Sequence, residues 1–219
     1  MRKIITGAFV SLDGIMQAPG GPQEDPTGGF EYGGWAAPYF DGAMGEAVGE
    51  IFAEPFDLLL GRKTYDIFAA HWPYVGSDDP IGPLFDRITK YVATRNPDLK
   101  LDWQNSQTLG TDVVAAVTKL KGEAAPNLLT QGSTEFLQTL FRNDLVDELY
   151  ISFFPIVLGK GKKLFGHGAV PGALKLVSSR VSGSGVTVNK YVRGGDIVTG
   201  SFEFEQPTEA ELERRKNLT

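Results

Sequence analysis

Cysteine is absent from this 219-residue chain. That excludes disulfides, thiolate catalysis and cysteine-ligated zinc or iron–sulfur centres. Histidine is scarce: His71 and His167 are the only two. They lie far apart in sequence with no carboxylate at ligand spacing, so each reads as a loop or packing residue, and neither a metal site nor serine–histidine chemistry is expected. Basic runs are short, Lys160 with Lys162 and Lys163, and Arg214-Arg215-Lys216 at the end of the tail, and the formal charge is -6 with a pI near 5.0. A nucleic-acid partner is therefore not expected. No apolar stretch approaches the ~18 residues of a membrane span. The run after Met1-Arg2-Lys3 is too short for the apolar region of a signal peptide. The expectation is a soluble, cytoplasmic protein that does not engage a membrane.

Three familiar nucleotide and nucleophile motifs are also lacking. There is no G-x-x-x-x-G-K-[ST], no G-x-S-x-G, and no G-x-G-x-x-G after a strand. Gly159-Lys160-Gly161 lacks the third glycine and comes late in the chain. A Rossmann-type site is a poor fit.

What is present is a core-forming composition, 42% hydrophobic and 22% charged. Apolar runs and periodicity predict strands over residues 3–10, 56–60, 90–94 and 127–130. Helices are predicted over 41–53, 63–70, 112–120 and 133–142. After that, strands follow one another over 148–157, 174–181, 185–192 and 197–205. Gly/Pro-rich loops fill 17–38 and 71–83; the first is too long for a plain connector and carries Phe30, Tyr32 and Trp35. The end of the chain, 207–218, reads as an exposed helix with Thr208 as its N-cap. This order predicts a single α/β domain over residues 1–206, with a mixed sheet parallel in its first half, and a helical tail over 207–219.

In such a sheet ligands bind where strands end and helices begin. Three junctions share one chemistry: Gly61-Arg62-Lys63-Thr64, Thr94-Arg95-Asn96, and Gln131-Gly132-Ser133-Thr134. Glycine lets backbone approach a ligand, and free N–H groups at a helix start hold phosphate. Arg62 and Arg95 can clamp a further phosphate. Any one junction alone reads as a turn with solvated charges. Together they point to a dinucleotide with an extra phosphate, NADPH.

These segments resemble the dihydrofolate-reductase superfamily, and within it the C-terminal reductase domain of the riboflavin-biosynthesis deaminase-reductase. Val10-Ser11-Leu12-Asp13-Gly14 is similar to that family's first strand and turn. Leu58 to Tyr65 is similar to its cofactor-phosphate motif, and Leu129 to Ser133 to its glycine-rich turn. The late stretch from Leu145 to Leu149, continued by Pro155 to Phe165, is similar to the riboflavin branch. The resemblance implies a three-layer sandwich around a mixed, mostly parallel eight-stranded sheet with antiparallel C-terminal strands. It also implies NADPH, hydride transfer to a small heterocyclic substrate such as 5-amino-6-(5-phosphoribosylamino)uracil, and a homodimer. The chain departs from the family in having Gln131 before Gly132, where two glycines are common. It has no deaminase motif, and its 19–40 loop is longer than in a folate reductase. A different small-molecule reductase, or an NADPH binder without catalysis, are the alternatives.

On this reading nicotinamide lies near Val10, Ser11 and Gly14, and the three junctions hold the rest of the cofactor. Proton donation falls to Asp13 or Asp41. Asp13 fits an Asp-Gly turn better than it fits catalysis, and Asp41 fits a helix cap equally well. Tyr32, Trp35 and Tyr39 fit either an aromatic lid over the substrate or loop and dimer packing, with Phe154 as the opposite wall. Lys160 and Lys162 fit either a substrate phosphate or a solvated loop.

Overall fold

Ile4–Ser11 (β1) is buried at all but one of its positions, and Phe56–Gly61 (β2) at every one. Strands covered on both faces read as continuous apolar runs, which is why the sequence marks them clearly. The computed structural model describes residues 1–96, 98–166 and 169–218; Pro97, His167, Gly168 and Thr219, and with them the reading of His167, lie outside the described residues. Further strands are Lys90–Ala93 (β3), Ser106–Thr108 (β4), Asn127–Thr130 (β5), Glu148–Phe154 (β6), Ala173–Val181 (β7) and Thr187–Gly195 (β8). They form one eight-stranded sheet in the order β4-β3-β2-β5-β1-β6-β8-β7. All pairings from β4 through β6 are parallel, and β8 pairs antiparallel with both β6 and β7.

Helices cover both faces, because neighbouring residues on a strand point to opposite sides. On one face Ile4, Ala8, Leu59 and Leu128 pack with Val113–Gly122 (α4) and Thr134–Arg142 (α5). On the other, Ile5, Leu58, Leu60 and Leu129 pack with Gly42–Ile51 (α1), Arg62–Ala69 (α2) and Gly82–Arg87 (α3). The result is a three-layer α/β sandwich. A third cluster gathers Ile15, Phe30, Trp35, Met44 and Phe154, and roots the long loop in the core.

The structure corrects the sequence reading at three elements. Residues 82–87, placed in or just after a loop, form α3, a six-residue helix opened by Pro83 and seated by Asp79, whose Oδ1 accepts from the N–H groups of Ile81 and Gly82. β4 is three residues long and polar, so periodicity does not reveal it. Residues 197–205 form no strand and stay exposed. The eighth strand is thus β4, and the sheet ends at Gly195. Thr208 accepts from the N–H of Glu211 and opens the exposed helix Glu209–Lys216 (α6). No helix among the described residues is long and apolar enough to cross a membrane.

Candidate active site

β3, β2 and β5 are adjacent and parallel, so their carboxyl ends lie side by side along one rim of the sheet. Each ends in one of the three junctions. All eleven junction residues, Gly61 to Thr64, Thr94 to Asn96 and Gln131 to Thr134, line a single cleft of about 2160 Å³. Ligand pockets commonly measure ~300–1,000 Å³, so this one has room for a dinucleotide and a second molecule.

Two of the junctions interlock. The Gly61 N–H donates to the Gly132 carbonyl at 3.0 Å. A Cβ on Gly61 would collide with Ser133 Oγ and stand 2.8 Å from Ser133 N. A Cβ on Gly132, whose φ is +145°, would stand 2.6 Å from Thr64 Oγ1. Glycine at these two positions is what lets the starts of α2 and α5 meet.

Both of those helices begin without a side-chain cap. By contrast α1, α4 and α6 are capped by Asp41, Asp112 and Thr208. The first-turn N–H groups of α2 and α5 therefore have no side-chain acceptor, and they open onto the cleft. Exposed cations flank them. Arg62 is ion-paired with Asp66 on its own helix, while Lys63 and Arg95 have no acidic partner among the described residues. Thr94 Oγ1 accepts from the Asn96 N–H at 3.0 Å and shapes the turn that presents Arg95. This donor set suits a phosphorylated dinucleotide.

The rest of the cleft is mostly apolar: Phe9, Val48, Ile51, Phe52, Phe68 and Trp72, with Tyr150 and Ser152 at the sheet. His71 also lines it and packs edge-on against Trp72. On β1 the floor is Gly7, Ala8 and Phe9. Val10 and Ser11 are buried and Gly14 sits in the following turn, so none of the three reaches the cleft wall where the sequence reading put nicotinamide.

Neither sequence-chosen carboxylate lines the cleft. Asp13 Oδ1 accepts from Ser11 Oγ and the Leu158 N–H, and Oδ2 from the Gly159 N–H at 2.7 Å. Burial pushes its pKa up, but these hydrogen bonds outweigh that and leave it lowered. Asp41 caps α1 at Met44 N and holds Ser184 N of the β7–β8 hairpin at 3.1 Å. The Met44 bond is the main cause of its lowered pKa. Two carboxylates held ionised by fixed N–H donors are tethers for loops.

The aromatic candidates divide in a similar way. Trp35 is buried, donates Nε1–H to the Gln17 carbonyl at 2.8 Å, and stands edge-on against Phe154. Phe154 is fully buried beneath Phe9, Trp35 and Tyr39. Tyr32 is 56% exposed and packs on Phe30. None of Tyr32, Trp35 and Phe154 lines the cleft; they anchor the loop whose other residues do.

That loop brings two carboxylates the sequence reading passed over. Glu24 and Asp25 both line the cleft. Asp25 is ion-paired with Lys162, which also donates to Thr27 Oγ1, so Lys162 is neutralised where it stands. Lys160 does not line the cleft. Glu24 Oε2 accepts from the N–H groups of Gly20 and Gly21 at 2.6 and 3.2 Å. Oε1 has no hydrogen-bond partner among the described residues. Burial nevertheless pushes the Glu24 pKa above the usual glutamate value. The available signal was a carboxylate inside a long glycine-rich loop with no helix to cap.

The chain matches the family model of the RibD C-terminal domain over residues 2–188. The Bacillus subtilis protein YyaP is 27% identical over 197 residues, covering 87% of this chain and 94% of that protein. A solved protein from Shewanella sp. PV-4, described as one of riboflavin biosynthesis, superposes with a TM-score of 0.59 at 20% identity, over 87% of this chain and 98% of that one. Dihydrofolate reductase from Enterococcus faecalis, complexed with NADP(H), superposes with a TM-score of 0.55 at 14% identity, over 88% and 96%. The fold is dihydrofolate-reductase-like, and with its model match across most of its length, the chain belongs to the RibD C-terminal domain family.

Proposed function

We propose that this protein is an NADPH-dependent reductase that delivers a hydride to a small heterocycle, of the kind reduced in riboflavin biosynthesis, and that it works as a homodimer. The observation that carries the reading is the convergence of three phosphate-type junctions on one cleft, at two uncapped helix starts. Family membership supports the reaction class.

The N–H groups that open α2 and α5 hold the pyrophosphate, with Thr64 and Ser133 beside them. Arg95, joined by Arg62 and Lys63, holds the extra phosphate that separates NADPH from NADH. When bound, the cofactor supplies the hydride. The chain positions the substrate between the sheet floor at Gly7 to Phe9 and the α1 side chains Val48, Ile51 and Phe52, and these apolar walls exclude water. Glu24 Oε1 holds the proton that the reduced substrate takes up. Its raised pKa keeps a share of the carboxyl protonated at higher pH than a solvated glutamate would allow.

The test follows loss of reduced-nicotinamide absorbance with a panel of oxidised heterocycles: the aminouracil of riboflavin biosynthesis, dihydrofolate and simple pterins. Turnover of the aminouracil supports the reading. Turnover of dihydrofolate alone favours a folate-type reductase, and no turnover with intact NADPH binding favours a protein that binds without reducing.

A further inference from the structure

Lys90 opens β3 and is fully buried, yet the reaction proposed above gives it no part. A cation taken out of water is costly unless other groups replace that water. Here the replacements are not carboxylates. Lys90 Nζ donates to the Phe85 carbonyl at 2.6 Å and to the Asp86 carbonyl at 3.3 Å. It also stands 4.3 Å from the centre of the Trp103 ring.

Those two carbonyls lie at the C-terminal end of α3, where a helix leaves its last carbonyls without internal donors and carries partial negative charge. Asn105 Nδ2 adds a second donor to the Asp86 carbonyl, at 2.9 Å. Asp79 seats the other end of the helix. Six residues make too few internal bonds to hold a helix by themselves, so these side chains set where α3 lies.

The position of α3 matters because of Phe85, which is 1% exposed. Its ring centre is 5.3 Å from that of Trp72, 5.9 Å from Phe52 and 5.9 Å from Phe68. All four rings line the cleft, and Lys90 does not. The carbonyl that Lys90 holds most closely belongs to the ring at the centre of this wall.

Few charged or titratable groups face the amine. α3 offers Asp86, whose Oδ1 accepts from Trp103 Nε1–H at 2.6 Å. α2 offers Tyr65, whose hydroxyl accepts from the Trp103 N–H at 3.1 Å. In the sheet β2 places Leu58 beside Lys90, and β4 places Ser106. Asp57, one residue before Leu58, points to the opposite face and is ion-paired with Arg2. Burial pushes the Lys90 ammonium down to about 8, against the pull of Asp86.

We propose that Lys90 is a positioning residue for the substrate side of the cleft: its buried amine, under the C-terminal end of α3, fixes Phe85 and through it the wall of Phe52, Phe68 and Trp72. This rests on the reductase reading only in taking that wall as the substrate's. The burial gives the role a pH signature. Opening of α3 admits water to the amine and returns its pKa from about 8 toward the ordinary 10.5. The open form then holds a proton that the closed form lacks, so opening becomes about tenfold rarer for each pH unit above about 8.

Hydrogen exchange corrected for intrinsic rates, read peptide by peptide from about pH 7 to about pH 10, tests this on the wild type and on Lys90→Met. Residues 72–87 of the wild type should show that tenfold slope, and Lys90→Met should lose it. Peptides from α6 should show none. Lys90→Met should also raise KM for the oxidised heterocycle by ~10-fold or more, the worth of a hydrogen bond from a charged group, and leave the Kd for NADPH, set at the junctions, unchanged. Exchange at 72–87 that ignores pH in the wild type overturns the proposal, even if Lys90→Met fails to fold. A folded Lys90→Met that keeps the slope, or keeps the wild-type KM, overturns it as well. Exchange needs no substrate, so failure to turn over any heterocycle counts against the reductase reading and leaves the wall to be judged by exchange.

Discussion

Replacing Gly61 with alanine tests whether the β2 and β5 junctions act as one unit. The backbone imposes no cost of its own, because φ at Gly61 is -72°, which alanine adopts freely. The cost comes entirely from space. The added methyl would overlap Ser133 Oγ and lie 2.8 Å from Ser133 N and 3.0 Å from Phe136 Cβ. Ser133 Oγ can rotate away, but its backbone nitrogen cannot move without shifting the start of α5. Overpacking of this kind costs about 1–3 kcal/mol. At about 2–4 °C per kcal/mol for a chain of this size, the unfolding midpoint should fall by about 2–12 °C. The same displacement separates the two uncapped helix starts, so NADPH affinity should drop by ~10-fold or more, equal to about 1.4 kcal/mol. Gly45→Ala is the matched control. Gly45 sits in α1 with no atom near its missing Cβ, so alanine there should stabilise by about 0.5–1 kcal/mol and leave NADPH binding alone. Thermal unfolding and a fluorescence titration with NADPH read both effects. Wild-type stability and affinity in Gly61→Ala would refute the interlocked site.

Four other substitutions probe separate parts of the account. Arg95→Ala should weaken NADPH binding by about 10- to 150-fold, the worth of a hydrogen bond to a charged group, and leave NADH binding unchanged in the same titration. Glu24→Gln should slow turnover by about 10²–10⁴-fold and flatten the fall in kcat that the wild type shows as pH rises through the raised Glu24 pKa; an unchanged pH–rate profile would assign the proton elsewhere. Asp57→Ala leaves the fully buried Arg2 guanidinium beside the Pro126 carbonyl and Tyr91, with Glu123, 3.8 Å away, as its one acidic partner among the described residues, so denaturant unfolding should show a loss of about 3–5 kcal/mol. Burial tends to raise the Glu148 pKa, but hydrogen bonds from Lys3 and Lys190 outweigh it and leave the pKa below the ordinary 4.5. Its stabilisation is therefore present above 4.5 and lost as pH falls through the lowered folded value. Glu148→Gln should cost about 1.5–3 kcal/mol at neutral pH, with the gap to wild type closing in acid.

The three junctions on the cleft rim were legible in the sequence because each junction is local. Gly61, Arg62 and Thr64 are consecutive with a buried strand, and strand ends of a parallel sheet share a rim. Adjacency of β3, β2 and β5 then brought the three junctions into one cleft, although that order is set by the whole sheet. The roles of the other candidates were not legible, because their contacts are remote in sequence. Asp13 finds its donors at Leu158 and Gly159, and Asp41 finds Ser184, more than 140 residues away in each case. No local pattern separates such a tether from a proton donor. Trp35 and Phe154 likewise meet only in the folded core. Strand pattern misled at 197–205, where apolar and polar residues alternate yet the segment pairs with no strand, and β4 hid because a three-residue polar edge strand carries no alternation.

The central claim is that the cleft holds NADPH by its extra phosphate. Its most direct measurement is the shift in unfolding midpoint with NADPH and with NADH, in the wild type and in Arg95→Ala. At about 100 times its Kd a ligand adds about 2.7 kcal/mol, or about 5–11 °C for a chain of this size. The account predicts that NADPH gives such a shift, that equal NADH gives a smaller one, and that Arg95→Ala brings NADPH down to the NADH level. No shift with either nucleotide, or equal shifts that ignore Arg95, would contradict it.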